Sequence, residues 1–204
     1  MPYSNFKTIE DVKSKFAITI DSGGSLFGLT EEIPPSTQFA GILEENVDLA
    51  LNINTGKARS EFIIAPLLIE VRRILDRKIS LFSGLEFNVD DELGLNGYCD
   101  FILSKSPDQV FIKSPVICVV EAKNENIRSG YAQCIAEMIA SQIFNQRNTA
   151  SCNYILGVVT TGSNWRFLKL ENDMVSIDFN EYLISQAGKI LGILVEAIKE
   201  NATP

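Results

Sequence analysis

A run of five apolar residues, Val116 to Val120, constrains the fold of this chain more than any other segment. Side chains alternate between the two faces of a strand, so this run places apolar groups on both faces. Such a strand is stable in the interior of a sheet that is covered on both sides. The sequence therefore predicts an α/β protein in which this segment is a central, fully buried strand.

The hydrophobic pattern around this run predicts the rest of the sheet. Ile79 to Val89 and Gly97 to Leu103 read as two strands joined across an acidic turn, and Val116 to Lys123 follows as the third. Three successive strands with short connections predict an antiparallel meander. Two further strand-like stretches come later: Tyr154 to Val159, and a peripheral hairpin of Trp165 to Leu170 with Met174 to Ile177.

Helical periodicity flanks these strands. It is visible in five segments: Ile9 to Phe16, Phe39 to Leu51, Glu61 to Asp76, Arg128 to Asn145 and Tyr182 to Ile198. The first segment lies in an otherwise irregular lead-in that ends at Pro34-Pro35. Pro66 lies inside the third, where a proline costs about 3 kcal/mol, so that helix is predicted to begin later than Glu61 or to bend.

The 204 residues predict a single domain, because no shift in composition separates two halves. With 46% hydrophobic and 22% charged residues the chain can bury a sizeable core. No apolar run approaches the roughly 20 residues that span a bilayer, and Met1 to Asn5 lacks the features of a secretory leader. These features predict a cytoplasmic protein without a membrane partner.

The chain contains no histidine, which limits the chemistry it can perform. Ser-His-Asp and Cys-His catalysis, histidine-ligated zinc and an imidazole general base are all excluded. The four cysteines form no C-x-x-C pair, and no Walker motif is present. Hydrolytic chemistry would therefore have to use carboxylates, lysine and a hard metal ion.

A net charge of −8 argues against a surface that coats nucleic acid broadly, since backbone binding depends on lysine and arginine displacing counterions. Part of the acidity is segregated, because residues 31–50 contain five acids and no lysine or arginine. A local basic cleft stays compatible with this charge. Its candidate residues are Arg128, Arg147, Arg166 and Lys169, and scattered surface charge is the alternative.

Charged residues interrupt the apolar strands in two places. Glu121 and Lys123 share one face of the third strand because side chains alternate with period two, and Asp100 interrupts the preceding strand. Two carboxylates brought close together repel unless a cation lies between them, and such oxygen ligands suit Mg²⁺ or Mn²⁺. Lys123 could orient or deprotonate a water, or stabilise charge on a phosphate. Alternatively, these residues mark where a buried strand reaches solvent.

The sequence Gly97-Tyr98-Cys99-Asp100, followed after 20 residues by Glu121-Ala122-Lys123, resembles the motif of the PD-(D/E)XK nuclease superfamily. The predicted order of a helix, a three-stranded meander, a helix and a strand over about residues 60–170 is similar to that superfamily as well. The resemblance implies a restriction-endonuclease-like core with an N-terminal helical extension and a C-terminal hairpin plus helix.

The resemblance also implies a role for each matching residue. Asp100 and Glu121 would bind the divalent ion, Mg²⁺ or Mn²⁺, and Lys123 would help to activate the attacking water. An acid on the helix before the meander would complete the metal site. Glu61 is the candidate for this acid, and Glu70, about half a turn around the helix, is the alternative.

Two further residues are candidates for substrate contacts. Gln133 stands where some branches of the superfamily have a glutamine on the helix after the E-x-K strand, and Glu137 stands where those branches commonly have a tyrosine. Gln133 could instead be a polar residue at the edge of the helix. Trp165 could stack on a base, or it could be a core tryptophan after a hairpin turn.

The leading hypothesis is a metal-dependent nuclease that hydrolyses nucleic-acid phosphodiester bonds, with DNA as the expected partner. A double-strand cut would need two active sites and hence a homodimer. The first alternative is a catalytically inert binding or scaffold module with the same fold. The second is a binding domain for a small acidic or nucleotide ligand.

Overall fold

A mixed eight-stranded sheet organises the chain, and helices cover both of its faces. The computed structural model describes residues 2–201. The strands are β1 (Thr19–Asp21), β2 (Ser80–Glu86), β3 (Tyr98–Ser104), β4 (Val116–Ala122), β5 (Ile155–Thr160), β6 (Asn164–Glu171), β7 (Met174–Ile177) and β8 (Tyr182–Leu183). The helices are α1 (Ile9–Phe16), α2 (Thr37–Ile53), α3 (Gly56–Arg59), α4 (Ala65–Ile74), α5 (Tyr131–Arg147) and α6 (Ala187–Glu200). The predicted α/β class is confirmed.

The strands lie in the order β1-β7-β6-β5-β4-β3-β2, with β8 paired to β6. The antiparallel pairing of β2 with β3 and of β3 with β4 confirms the predicted meander. β4 and β5 are parallel, and α5 makes the crossover that parallel neighbours require. β6 is antiparallel to both β5 and β7, so the predicted hairpin extends the same sheet.

β4 is the central strand that its apolar run predicts. Its first six residues are all buried. Val119 belongs to the apolar cluster that includes Ile135 of α5, whereas Val120 belongs to the cluster that includes Leu68 of α4 and Leu194 of α6. Helices therefore cover this strand on both faces, which removes its backbone and its side chains from water.

The helix that contains Pro66 accommodates it by a local change of helix type. α3 continues through a π-helical turn, Ser60–Ile64, and Pro66 lies in the first turn of α4. Proline has no N–H to donate to the carbonyl of Phe62, and the side-chain amide of Asn46 on α2 donates to that carbonyl at 3.2 Å. The α-helix that contains Pro66 therefore begins at Ala65, later than Glu61, as predicted, and the π-helical turn joins it to α3.

The first 35 residues are more ordered than the predicted irregular lead-in. α1 has the predicted bounds, and Thr8 and Asp11 cap it reciprocally through their side chains and backbone N–H groups. β1 was not predicted, and it pairs in parallel with β7 at the edge of the sheet. Its three residues are exposed or half-buried, and an alternation over only three residues is too short to reveal a strand.

The last helix begins later than the predicted start at Tyr182. Tyr182 and Leu183 form β8 and pair with Trp165 and Asn164 of β6. The hydroxyl of Tyr182 donates to the buried carboxylate of Asp178 at 3.0 Å, which fixes this corner before α6 begins. Across residues 2–201 every helix is too short or too polar to cross a membrane.

Candidate active site

Asp100 lies where β3 and β4 stop pairing with each other. The last paired residues of the two strands are Phe101 and Val120. Just beyond them, Oδ2 of Asp100 accepts the backbone N–H of Ala122 at 2.8 Å. The carboxylate therefore takes the place of a backbone acceptor, and the two strands hold it between them.

Glu121 and Lys123 emerge beside Asp100 from the end of β4. The ammonium group of Lys123 forms an ion pair with the carboxylate of Glu121, whose side chain is only 2% exposed. The backbone N–H of Lys123 donates to the carbonyl of Thr160 at 2.8 Å, which ties this residue to the end of β5. The structure thus brings together Asp100, Glu121 and Lys123, the three residues on which the sequence hypothesis depends.

Gln133 of α5 connects the charged residues of the site. Its amide oxygen accepts from Nζ of Lys123 at 3.1 Å, and its amide nitrogen donates to Oε2 of Glu121 at 2.9 Å. The same nitrogen donates to Oε1 of Glu137 at 3.1 Å. Both amide atoms are engaged with protein groups, so Gln133 joins the charged residues to one another, and its contact with substrate stays a prediction.

Glu137 belongs to this cluster, although sequence reasoning did not assign it a function. It lies one turn after Gln133 on α5, is fully buried, and its Oε2 has no hydrogen-bond partner within residues 2–201. An acid four residues after Gln133 on an apolar helix is the sequence signal that could have identified it. A buried oxygen without a partner indicates a retained proton or a missing ligand.

Burial and mutual repulsion make the acids of the cluster hold protons more tightly than usual. Burial, reinforced by the charge of Asp100, raises the pKa of Glu121, and Lys123 only partly offsets this. Burial and the charge of Glu121 raise the pKa of Glu137 well above its ordinary value. Burial also raises the pKa of Asp100 against the opposing effect of the Ala122 N–H. Three acids sharing one ammonium group favour the uptake of protons or of a cation.

Two of these carboxylates fit the requirements of a divalent ion. Within residues 2–201 no group of three or more cysteine, aspartate and glutamate side chains is arranged to hold a metal by itself. Mg²⁺ does not need such a group, because it commonly takes one or two protein carboxylates and keeps several waters. Asp100 and Glu121 would supply those carboxylates, and Oε2 of Glu137 is an additional buried oxygen in the same cluster.

Neither candidate for the helical acid is brought to the cluster. The side chain of Glu61 is 54% exposed and pairs with Lys57 at 3.5 Å, because it lies on the solvent side of the π-helical turn. Glu70 is buried, but its carboxylate accepts two hydrogen bonds from Arg73, each of 2.7 Å, and one from the N–H of Ser36. In the described part of the chain no hydrogen bond or ion pair joins either residue to Asp100 or Glu121. The metal-ligand role expected for Glu61 is therefore not supported, and Glu137 is the third acid of the cluster.

Trp165 is a core residue in this structure. Its side chain is fully buried, and its indole N–H donates to the carbonyl of Gly162 at 2.8 Å. It belongs to the apolar cluster that includes Leu68 of α4 and Leu194 of α6. A buried ring cannot stack on a base, so the substrate-contact hypothesis for Trp165 is corrected in favour of a core tryptophan after a tight turn.

The four residues of the predicted basic rim separate into two groups. Arg128 and Arg166 line one polar pocket. Arg147 pairs with Asp90, and Lys169 pairs with Glu171 at 3.0 Å. Of the four predicted residues, only Arg128 and Arg166 therefore lie together at one pocket.

Comparisons with known proteins gave no match, since no family model, no curated protein and no solved structure matches this chain. What the site can do is inferred from the chemistry of its residues.

Glu137→Gln is expected to stabilise the protein increasingly as the pH rises. A carboxyl whose pKa is raised by folding binds its proton more tightly in the folded state, so its contribution to stability is complete at low pH and is lost as the pH rises. Glutamine cannot ionise and avoids this loss. The free energy of unfolding of the variant should gain roughly 1 kcal/mol on the wild type per pH unit, starting near the ordinary glutamate pKa of about 4.3.

Urea unfolding in EDTA at several pH values between about 4 and 8 measures this difference. Glu45→Gln is the matched control, because Glu45 is exposed on α2. The difference reports Glu137 together with its effect on Glu121, because the charge of each of these two acids raises or lowers the proton affinity of the other. Stability curves of wild type and Glu137→Gln that run parallel over the whole range would contradict a raised pKa for Glu137.

Proposed function

We propose that this chain is a divalent-metal-dependent nuclease that hydrolyses phosphodiester bonds of DNA. The observation that carries the proposal is the meeting of Asp100, Glu121 and Lys123 at the point where two central strands separate. Two carboxylates and one ammonium group in a common cluster match the needs of metal-assisted phosphodiester hydrolysis.

The order of elements around the site supports a restriction-endonuclease-like core within the α/β fold. Helix α4, the meander β2 to β4, helix α5 and strand β5 follow one another as the resemblance to the PD-(D/E)XK superfamily implies. The acids occupy the β3 and β4 positions that carry the motif in that superfamily. This part of the proposal depends on the resemblance and on the topology together.

Each residue of the cluster has a separate role in the proposed reaction. Asp100 and Glu121 would hold Mg²⁺ or Mn²⁺, which when bound supplies charge neutralisation for the phosphate and a lowered pKa for a nearby water. Lys123 stabilises negative charge that develops on the phosphate, or orients the attacking water. Gln133 fixes the positions of the Lys123 and Glu121 side chains through hydrogen bonds to both.

A catalytically inert binding module with the same fold is the second candidate. Glu121, Lys123 and Gln133 already form a closed network of one ion pair and two hydrogen bonds, which is an arrangement that a purely structural role would also produce. The net charge of −8 also favours the inert module, because it disfavours broad contact with nucleic acid.

Calorimetric titration with Mn²⁺ distinguishes the two candidates. The nuclease proposal predicts binding that weakens at least about tenfold in Asp100→Asn, since the variant loses a ligand charge. The affinity should rise with pH, because the raised pKa values of Asp100 and Glu121 mean that protons must leave before the ion binds.

Asp48→Asn is the control for this titration, because Asp48 is exposed on α2 and lies outside the cluster. It should bind Mn²⁺ as the wild type does. An inert module would show no heat of Mn²⁺ binding, or a heat that Asp100→Asn leaves unchanged, and either result would reject the proposed function.

A further inference from the structure

A polar pocket of about 520 Å³ opens at the same end of the sheet as the candidate active site. Three arginines from different elements line it: Arg59 from α3, Arg128 from the 3₁₀ turn before α5, and Arg166 from β6. We call it the arginine pocket. Tyr131, at the start of α5, contributes a hydroxyl beside Arg128 and Arg166.

The arginine pocket is directly adjacent to Lys123. Asn124, the next residue in the chain, is part of the pocket lining. The Lys123 side chain lies against Gly130, where an added Cβ would be 3.1 Å from Cε of Lys123. Gly130 therefore leaves room for the Lys123 side chain beside Tyr131. The acids, Lys123 and the pocket all lie at the end of the sheet where β4 and β5 end.

The charge of the pocket differs from the charge of the whole chain. Its three guanidinium groups face two acids, Glu125 and Glu181, which leaves one positive charge in excess, whereas the chain carries −8. Arg166 pairs with Glu181 at 3.0 Å, and Arg128 is exposed. A local excess of positive charge in an acidic protein attracts an anionic group to this place.

Two of the arginines also have donors that lack acceptors. The Nε–H groups of Arg59 and Arg166 are buried, and neither has a hydrogen-bond partner in the part of the chain that the structure describes. Arg59 is held in place by its other nitrogens, which donate to the carbonyl of Thr161 at 2.9 Å and to Asn54 at 3.0 Å. Because these two nitrogens are shielded from solvent, the groups that can meet a ligand are the other nitrogens of the half-buried Arg59 and Arg166 and the exposed Arg128.

Guanidinium groups recognise the oxygens of phosphate better than those of neutral ligands, because each bond is charge-assisted and the donors form a planar fork. We infer that the arginine pocket binds a backbone phosphate of the nucleic-acid strand, at a position next to the phosphodiester that lies at Asp100 and Glu121. The inference rests on the proposed function, because it assigns the substrate contact of that same site. A nucleic-acid strand that passes Lys123 would reach the arginine pocket at the same end of the sheet, where β4 and β5 end.

Fluorescence anisotropy of a labelled DNA oligonucleotide in EDTA tests this contact without any cleavage. The double variant Arg59→Gln/Arg166→Gln is expected to bind the oligonucleotide at least tenfold more weakly than the wild type. The slope of log K against log salt should shrink by about 0.7–0.9 for each phosphate contact that is lost. Arg147→Gln is the control for the single variant Arg166→Gln, because each removes one positive charge from an arginine that pairs with an acid, and Arg147 lies outside the pocket.

Arg128→Gln is a second variant that keeps the test valid if the double variant unfolds. Arg128 is exposed, so its substitution should leave the thermal unfolding midpoint unchanged while weakening binding severalfold. Inorganic phosphate and a nucleoside monophosphate, each added as a competitor, distinguish a strand from a small ligand. The inference expects weak competition by both, because each offers only one of the phosphates that the strand presents.

Three results would overturn the inference: no binding of the oligonucleotide by the wild type, equal binding by the pocket variants and Arg147→Gln, or pocket binding restricted to the free nucleotide. Its failure is distinguishable from failure of the proposed function. A chain that cleaves DNA with unchanged affinity in the pocket variants loses only this inference. A chain that binds DNA through the arginines and takes up no Mn²⁺ loses only the nuclease proposal.

Discussion

Glu121→Gln is expected to abolish the cleavage of DNA in Mn²⁺ or Mg²⁺, with a rate at least about a hundredfold below that of the wild type. The substitution keeps the shape of the side chain but removes the charge that pairs with Lys123 and that would hold the ion. The glutamine keeps one oxygen that can accept from Lys123, and the thermal unfolding midpoint of the variant shows whether the loss of the ion pair alters the fold. Single-turnover cleavage of a labelled duplex measures the effect.

Glu61→Gln is the control, since the side chain of Glu61 is exposed and paired with Lys57. It should cleave DNA at the wild-type rate, whereas Lys123→Ala should lose cleavage as Glu121→Gln does. Full activity in Glu121→Gln, or equal losses in Glu121→Gln and Glu61→Gln, would contradict the assignment of the site.

Trp165→Ala is expected to lower the free energy of unfolding by about 3–5 kcal/mol. The ring is fully buried between the sheet and the helices of one face, and truncation would leave a cavity and remove the donor to the Gly162 carbonyl. A loss of this size is a large part of the 5–15 kcal/mol that stabilises a typical domain, so urea unfolding should detect it easily.

Phe179→Ala is the matched control for this loss, because the Phe179 side chain is 69% exposed. It should change stability by no more than about 0.5 kcal/mol. Trp165→Phe should retain most of the stability and all of the affinity for DNA. If Trp165→Ala left stability unchanged and weakened DNA binding, the tryptophan would be a base contact and its buried position would be refuted.

The middle of the sheet could be predicted from sequence because its apolar residues are stable only when both faces of the strand are buried. Five consecutive apolar side chains at Val116 to Val120 fit only a strand covered on both faces, and the structure places β4 there. The edge of the sheet could not be predicted in the same way. β1 has no buried alternation, and its pairing with β7 depends on residues more than a hundred positions away.

The helical turn before Pro66 depends on a distant side chain that compensates a local penalty. Pro66 predicts a helix that begins later than Glu61 or bends, and α4 begins at Ala65 with Pro66 in its first turn; the π-helical turn before it could not be predicted, and Asn46 of another helix donates to the Phe62 carbonyl there. The sequence alone gives no sign of this pairing, because Asn46 and Phe62 meet only when α2 packs on the π-helical turn.

The candidate site was predictable to the extent that it depends on strand alternation. Period two places Glu121 and Lys123 on one face, and the meander places Asp100 on the neighbouring strand. Glu61 lies away from the cluster because the direction that a helical side chain faces is set by packing, which the sequence pattern does not specify. Glu137 reaches the cluster from the crossover helix α5, whose position over β4 follows from the tertiary structure.

The arginine pocket was predictable only in part, because Arg128 and Arg166 were candidates for a basic cleft and Arg59 was not. Arg59, Arg128 and Arg166 come from three separate elements, and only the turn after β5 and the start of α5 bring them together. In the sequence they resemble scattered surface charge, which is how most isolated arginines in a chain behave.

Anomalous scattering from a crystal grown with Mn²⁺ would locate the ion relative to these residues. The proposed site requires one strong peak within coordination distance of Asp100 and Glu121, with Lys123 and Gln133 still in hydrogen-bond contact beside it. The peak should vanish in Asp100→Asn. No peak at these two carboxylates at saturating Mn²⁺, or a peak bound only elsewhere on the surface, would show that the acids at the end of β4 are not a metal centre.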